Sequence, residues 1–335
     1  MSAVELSDHE HRALVAAACA APSIHNTQPW RFVTTPQTVE VHADPVRGLQ
    51  VIDPAARALV ISCGAAVLNL RVALARFGRR SRTRWLPSPG VPTHLATVQV
   101  VGSHHTLDVD RELYEALHQR RSSRRPMTTQ PVPTAVLDEL GHVARQDGAA
   151  LHVLTGDAAA GLLAIVRDAD AAQRREHAYR EELGGWTTAD PSRPDGVAAP
   201  AFGAWPGPGQ VPQRDFTAGG VVAARRVEAF EAAPTLAVLS TGDDTVVNWL
   251  RAGTALQHLL LVATTHRLRA GFLTQPLELP AFRDEVRTLI GPPHMPQVVL
   301  RLGYGPVPPR SRRRPVHEIA ESATSASHQP GPPPV

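Results

Sequence analysis

A chain of 335 residues, 43% hydrophobic but only 4% aromatic, has room for one large domain or two ordinary ones, packed mainly with Leu, Val and Ala. All 34 of its Lys-plus-Arg positions are arginine, against 31 acids, and the small excess collects at Arg120–Arg125 and Arg310–Arg314; this argues against a nucleic-acid surface, which needs a longer basic stripe, and for one small anion held by guanidinium forks. No window approaches twenty consecutive apolar residues, so no membrane span is expected, and the N-terminal MSAVELSDHEHRAL has acids and histidines where a signal peptide has a basic end and an apolar stretch, so a cytoplasmic protein is expected.

Ser7, with Glu10 three residues on, predicts the N-cap of a helix running to Cys19. Ala21–Pro29 reads as a loop. Trp30–Thr35 and Thr38–His42 are short β-branched runs with turn residues between them, a hairpin. Pro54–Phe77 is apolar at helical spacing and predicts a buried helix that stops near Gly78. Ser81–Leu86 and Leu95–Val101 read as strands. The pattern then restarts. Helices are expected over Asp110–Gln119, Pro133–Arg145, Ala158–Leu183, Thr245–His266 and Pro280–Leu289, with strands at Ala150–Leu154, Thr235–Ser240, Gly271–Leu273 and Gln297–Leu302. The order helix, strand, long apolar helix, strand occurs in both halves. This predicts an α+β fold with a weak internal duplication, split near Gly102–Asp108. Cys19 and Cys63 lie in Ala-rich helical runs, as buried free thiols do.

Two segments do not fit a packed core. Gly184–Gly220 is rich in Pro and Gly and too long for an ordinary connection; Trp186, Phe202 and Trp205 within it imply that it packs on something. Residues 321–335 read as a disordered tail.

The chemistry sits in two distant stretches. In Ala21–Trp30 (APSIHNTQPW), Pro22 sets a turn, Ser23, Asn26 and Gln28 offer short polar side chains, and Ile24 can lie against a flat ring. The same composition suits a plain loop capped by Asn and Ser. In Arg120–Pro126 (RRSSRRP), Arg120, Arg121, Ser122 and Arg124 suit a phosphate dianion, and also suit a basic helix C-terminus that complements the dipole. A ligand that combines a flat hydrogen-bonding ring with a phosphate is FMN. Two further stretches could join such a site. Thr274–Glu278, an extended segment of Gln275, Pro276, Leu277 and Glu278 after a short strand, could present backbone N–H groups to flavin N5; it also reads as an ordinary strand-to-helix loop. Arg310, Arg312 and Arg313 could close on the phosphate if the tail folds back, and otherwise form a solvated basic tail. No catalytic side chain and no metal site is expected: nucleophile-elbow, phosphate-loop and dinucleotide fingerprints are absent, and His9, His11, His104 and His105 lack further ligands at metal spacing. His25 is the one histidine inside the ring-binding loop.

On these residues the chain resembles the nitroreductase family of FMN flavoproteins, and most of all its single-chain, Acg-type subfamily, over roughly residues 8–320. Members of the family carry R-R-S-x-R and then A-P-S-x-x-N-x-Q-P-W; Arg120–Arg124 matches the first and Ala21–Trp30 the second at every fixed position. Pro296–Gly305 fits the subfamily ending P-Q-x-x-x-R-x-G-Y-G. Here the order is reversed, and each half lacks the element that the other keeps. The resemblance therefore implies a nitroreductase-like fold of two fused half-repeats, residues 1–105 and 106–320, that mimic the family's homodimer in one chain, with 184–220 as a lid insertion. It implies one FMN at the interface of the halves. Arg120, Arg121, Ser122 and Arg124 would hold phosphate and ribityl. Pro22, Ser23, Ile24 and Asn26 would line the ring, and Pro276–Glu278 would lie near N5, although Leu279 stands where the family often has Gly. It implies NAD(P)H-dependent reduction of nitroaromatics or quinones, with the cofactor carrying the chemistry. The alternative is a lidded FMN-binding or FMN-storage protein with little turnover, in which Trp186, Phe202 or Trp205 covers the ring; a heterodimer mimic without cofactor is a third reading. A small-molecule substrate, no nucleic acid and no membrane are the implied partners. The fused halves allow a monomer, and a homodimer stays open.

Overall fold

Helix α1 (Asp8–Cys19) begins where its capping box sets it: the Glu10 amide donates to Ser7 Oγ, and the Ser7 amide donates to the Glu10 carboxylate. The computed structural model describes residues 5–207, 210–221 and 225–322. Strands β1 (Trp30–Thr35) and β2 (Thr38–Ala43) follow as the expected hairpin. Helix α2 (Arg57–Arg76) then leads to β3 (Arg79–Trp85) and β4 (His94–Ser103). The sheet order is β1-β2-β4-β3, with each pair antiparallel.

The second half opens with α3 (Asp108–Gln119) and α4 (Thr134–Gln146), then β5 (Ala150–Leu154), α5 (Gly156–Arg175) and α6 (His177–Gly185). Four two-residue strands stand in the Pro/Gly-rich region: β6 (Thr187–Thr188), β7 (Val197–Ala198), β8 (Trp205–Pro206) and β9 (Val227–Glu228). They are followed by β10 (Thr235–Thr241), α7 (Val246–Thr265), β11 (Arg269–Phe272), α8 (Pro280–Ile290), β12 (Met295–Gly303) and β13 (Ala320–Ser322). Strands β5-β10-β12-β11 make a second antiparallel sheet. Both sheets thus share one connectivity, first-second-fourth-third. In each, a long apolar helix joins the second strand to the third: α2 in one, α7 in the other.

These two helices form the centre of the molecule. A Cβ on Gly64 would run into the Leu250 carbonyl oxygen and the Gly253 Cα; a Cβ on Gly253 would run into the Ile61 carbonyl oxygen and the Gly64 Cα. Each obstructing carbonyl lies three residues before the opposed glycine, so the contact is reciprocal. Gln257 Nε2 donates to Asn69 Oδ1 across the same interface at 2.7 Å, and Asn69 in turn donates to the Ala17 carbonyl of α1. Helix α2 has the length and apolarity of a membrane-crossing helix, but 83% of that window is buried inside the protein, where it serves as a core helix. Gly253→Ala is expected to destabilise the fold by about 3 kcal/mol, because the helix backbones must separate. Urea unfolding would check this, and an unchanged midpoint would contradict so close a crossing.

Two expectations need correction. The single helix over Ala158–Leu183 is broken: Glu176 is extended (φ −76°, ψ 123°), and α6 starts in a new direction. The break is stabilised locally by Arg180 Nη1, which donates to the freed carbonyls of Arg174 and Arg175 at 2.6 and 2.9 Å. The tail also starts later than expected. Glu321 and Ser322 lie in β13, which pairs in parallel with β1 along an edge that would otherwise be open, while residues 323–335 lie outside the described residues. The end of the chain thereby completes the first sheet, and residues 304–319 run back past the loop that precedes β1. Cys19 and Cys63 are buried free thiols, as expected.

Candidate cofactor site

The end of α1 determines one wall of a deep cleft between the halves. After Ala20 the chain turns through Pro22, Ser23 and a short 3-10 turn (Ile24–Asn26), with left-handed backbone at His25 and Asn26. Ser62 Oγ, on α2, accepts from the Ile24 amide. The opposite wall comes from the chain after α3. Residues 120–125 leave the helix and run beside β11, where Ser122 bridges Ala270 and the Ser123 amide donates to the Ala270 carbonyl at 2.8 Å. Gly271 is needed there, since a Cβ would stand 2.8 Å from the Ser123 carbonyl oxygen. The returning tail supplies Pro308–Ser311 and Arg313 to a third side.

Eight arginines line this cleft (Arg57, Arg120, Arg121, Arg124, Arg125, Arg214, Arg310 and Arg313), against one carboxylate, Glu278. Arg214 is paired with Glu278 at 2.6 Å, both almost fully buried; burial works against the Arg214 charge, but Glu278 outweighs it and raises the pKa. Among the described residues the other seven have no carboxylate within salt-bridge distance. Arg120 is the extreme case. It is 5% exposed, its Nε and Nη1 have no partner, and its Nη2 reaches only the Ala20 carbonyl at 3.4 Å. Burial, and then the charges of Arg313 and Arg121, pull its pKa down to about 9. Arg313 is better satisfied: it donates to the Cys19, Ala20 and Ala21 carbonyls and to Asn26 Oδ1, so it caps the C-terminal end of α1. Arg124 donates to the Ala201 carbonyl and lies 4.5 Å over the Phe216 ring; burial and Arg214 pull it to about 10. An enclosed cluster of like charges with unpartnered N–H groups is a strong anion trap.

Of the residues expected at the site, Pro22, Ser23, Ile24, Asn26, Arg120, Arg121, Ser122, Arg124, Glu278, Arg310 and Arg313 line the cleft. Five others lie away from it. Gln28 is fully buried and works as a clamp: Nε2 donates to the Pro194 carbonyl at 2.8 Å, and Oε1 accepts from the Arg314 amide. Gln275, Pro276 and Leu277 are buried beneath the surface of the cleft, in a 3-10 turn where an extended segment was expected; only Thr274 and Glu278 at its ends face inward. Arg312 points outward to the Pro191 carbonyl. The Asn26 amide also departs from expectation, because it is engaged by the protein: Nδ2 donates to the Gly196 and Arg312 carbonyls, and Oδ1 accepts from Arg313.

The Pro/Gly-rich segment borders the cleft through Val197, Pro200, Ala201, Gly203, Gln213, Arg214 and Phe216. Gly203 (φ +78°) lies so close to the Arg124 carbonyl that no side chain fits. The three aromatics expected to cover the ring are elsewhere: Phe202 is wholly buried, Trp186 packs under Arg47 and Trp205 under Arg225. Within this segment, Phe216 is the aromatic that faces the cleft, which Phe272 of β11 also lines. Arg57, Gln213, Arg214, Phe216 and Gln297 were missed because each stands alone in its local sequence. Arg57 Nη1 donates to the Gln297 carbonyl at 2.8 Å and Nη2 to the Leu277 carbonyl, which ties α2 to the second sheet.

His25 is 7% exposed with Nε2 unpartnered, and its ring meets Phe216 edge-on. Burial, then Arg214 and Arg124, hold its pKa well below the usual imidazole range. The unfolded chain therefore takes up this proton first. The stability it contributes is full above about pH 6.5 and falls as pH drops below that, by up to about 1.4 kcal/mol per pH unit. His25→Asn is expected to flatten the acid limb of the stability curve by that slope; a limb as steep as wild type would contradict the buried neutral state.

A cleft of this kind, lined by guanidinium groups that have no carboxylate partner, has the charge and enclosure to receive a small anionic ligand. Comparison with known proteins gives the family. The nitroreductase family profile matches residues 117–304. The Acg protein of Mycobacterium tuberculosis, to which an NAD(P)H nitroreductase activity is ascribed by name, is 32% identical over 315 residues, covering 92% of this chain and 94% of that protein. A second protein of the same organism, ascribed the same activity by name, is 32% identical over 314 residues, covering 90% of this chain and 88% of its own. Among solved structures, a nitroreductase-like family protein from Bacillus cereus superimposes with a TM-score of 0.38 at 15% identity, over 66% of this chain and 98% of that one. The chain belongs to the nitroreductase family, and within it to the single-chain, Acg-type proteins.

Proposed function

We propose that the protein is an FMN-binding oxidoreductase of the nitroreductase type, which accepts reducing equivalents from NAD(P)H and passes them to a nitroaromatic or quinone. The observation that carries this reading is Arg120, a buried guanidinium with two unpartnered nitrogen atoms, aimed into a cleft that also holds the ring-binding loop. The donor set fits FMN. Arg120, Arg121, Ser122, Arg124, Arg310 and Arg313 suit the phosphate and ribityl chain, and Pro22, Ser23 and Ile24 offer an apolar and hydroxyl-bearing wall to the ring. When bound, FMN would supply the hydride chemistry. The chain's own part is to neutralise the phosphate, set the Pro22–Ile24 wall against the ring, and exclude water through the side of the cleft formed by Val197, Pro200, Ala201 and Phe216. No side chain need transfer a proton.

We read the two halves as fused copies of one unit, 1–105 and 106–320, with one FMN per chain. The shared strand order and the reciprocal Gly64–Gly253 contact support this. The fused arrangement supplies the partner half within one chain and so suits a monomer. The absorption spectrum of the purified protein tests the cofactor. A yellow protein with one FMN per chain is expected; a protein that stays colourless with added FMN, or that holds two, overturns the reading.

A second reading, an FMN store with little turnover, draws on the buried Arg214–Glu278 pair, which ties the Pro/Gly-rich segment to the wall of the cleft. Anaerobic NADPH separates the two. Prompt bleaching of the flavin supports the reductase, and an unchanged spectrum supports the store.

A further inference from the structure

Apart from the cleft, three side chains able to ligate a metal converge on the outer face of the first sheet. In β2, Val39 and Val41 are buried in the core, so Glu40 and His42 face outward. In the neighbouring β4, Thr97 stands opposite Glu40 and Ala96 opposite Val41. Strict alternation would put residue 94 on the core side with Ala96. A register shift between Val41 and His42 takes up one residue, so His94 is the residue that stands opposite His42, on the outer face. The two imidazoles stack with centroids 4.4 Å apart at an interplanar angle of 21°.

Their Nε2 atoms approach the same Glu40 Oε2, at 2.9 Å from His42 and 3.7 Å from His94. One potential ligand atom from each of the three residues lies within 4.8 Å of the others. A zinc ion holds nitrogen and oxygen ligands tetrahedrally at about 2.0–2.2 Å, which sets neighbouring ligands about 3.3 Å apart. The two observed separations fall on either side of that value, and to bind one ion the stacked imidazoles must turn out of their near-parallel planes so that both Nε2 lone pairs meet it. Ser88 Oγ lies 3.2 Å from His94 Nδ1, an outer partner that orients the ring. Thr97 Oγ1 hydrogen-bonds the His94 Nε2 at 2.9 Å and is the partner that an ion would displace. The three side chains are 28%, 19% and 8% exposed for Glu40, His42 and His94, which leaves a path for entry.

We propose that Glu40, His42 and His94 form a binding site for one divalent transition-metal ion of the zinc class, completed by water. Bound there, the ion cross-links β2 to the start of β4. The site shares no residue with the cofactor cleft, so it stands whether or not FMN binds.

The test uses the full-length, untagged protein freed of metal by chelation and titrated near neutral pH with Zn²⁺ against a chromophoric chelator, with Co²⁺ as a spectroscopic probe. One equivalent of Zn²⁺ is expected. His42→Ala and His94→Ala should each weaken binding by roughly tenfold or more and abolish the four-coordinate Co²⁺ bands. The variant His152→Ala removes one member of another histidine pair, His152–His294, and should bind as wild type does. No binding by the wild-type protein, or binding that survives both first-sheet histidine variants, overturns the proposal.

Discussion

Arg120→Met is expected to weaken FMN binding on the order of 100-fold while leaving the apoprotein at least as stable as wild type. The two effects separate because of how Arg120 sits. Two of its three guanidinium nitrogens have no partner, and the third makes one long contact. Without an anion, the protein bears the cost of a buried charge beside Arg313 and Arg121, which is why its pKa falls to about 9. With a phosphate present, each charge-assisted hydrogen bond contributes about 1.5–3 kcal/mol, and two such bonds correspond to about two or more orders of magnitude in affinity. Methionine fills similar space without the charge. Fluorescence titration of FMN gives the affinity, and thermal unfolding of the apoprotein gives the stability. Arg312→Ala is the control, since Arg312 points out of the cleft, and it should retain wild-type affinity. Unchanged FMN affinity in Arg120→Met would contradict the phosphate assignment.

Glu278→Gln is expected to destabilise the protein by about 3–5 kcal/mol, because it leaves Arg214 buried without its counter-charge. The neighbours Tyr179 and Gln173 offer Arg214 only neutral acceptors, at 2.5 and 3.4 Å. The loss should be concentrated where Arg214 fastens the segment, so limited proteolysis should cut between residues 186 and 221 before the sheets unfold. Combining Glu278→Gln with Arg214→Met removes both charges and should recover much of the loss. A single variant with wild-type stability would show that the pair contributes little. If the segment restricts access to bound flavin, the same variant should also bleach faster with NADPH.

Where the determinants are local, they can be read along the chain. The capping box at Ser7, the β2 alternation and the run of arginines at 120–125 each act through neighbours within a few residues, so composition and spacing identify them. The role of Gln28 could not be read this way. Its amide looks free in sequence, yet it is spent on Pro194 and Arg314, more than 160 residues away in the chain. Arg57, Arg214 and Gln297 carry no local signature, because what makes them part of the cleft is their meeting one another. The break at Glu176 also eluded helical periodicity; it depends on Arg180 turning back onto freed carbonyls and on α6 packing against the cleft segment.

The sequence alone therefore determined the type of elements, the two cationic clusters, the Ala21–Trp30 motif that lines the cleft and, through its motifs, the family. Which arginine is left unpaired, which aromatic faces the cleft, and that His94 joins Glu40 and His42 were decided only in three dimensions. The physical reason is range: hydrogen bonding and hydrophobic periodicity act over a few residues, whereas desolvation and charge pairing depend on which distant segments the packed helices α2 and α7 bring together.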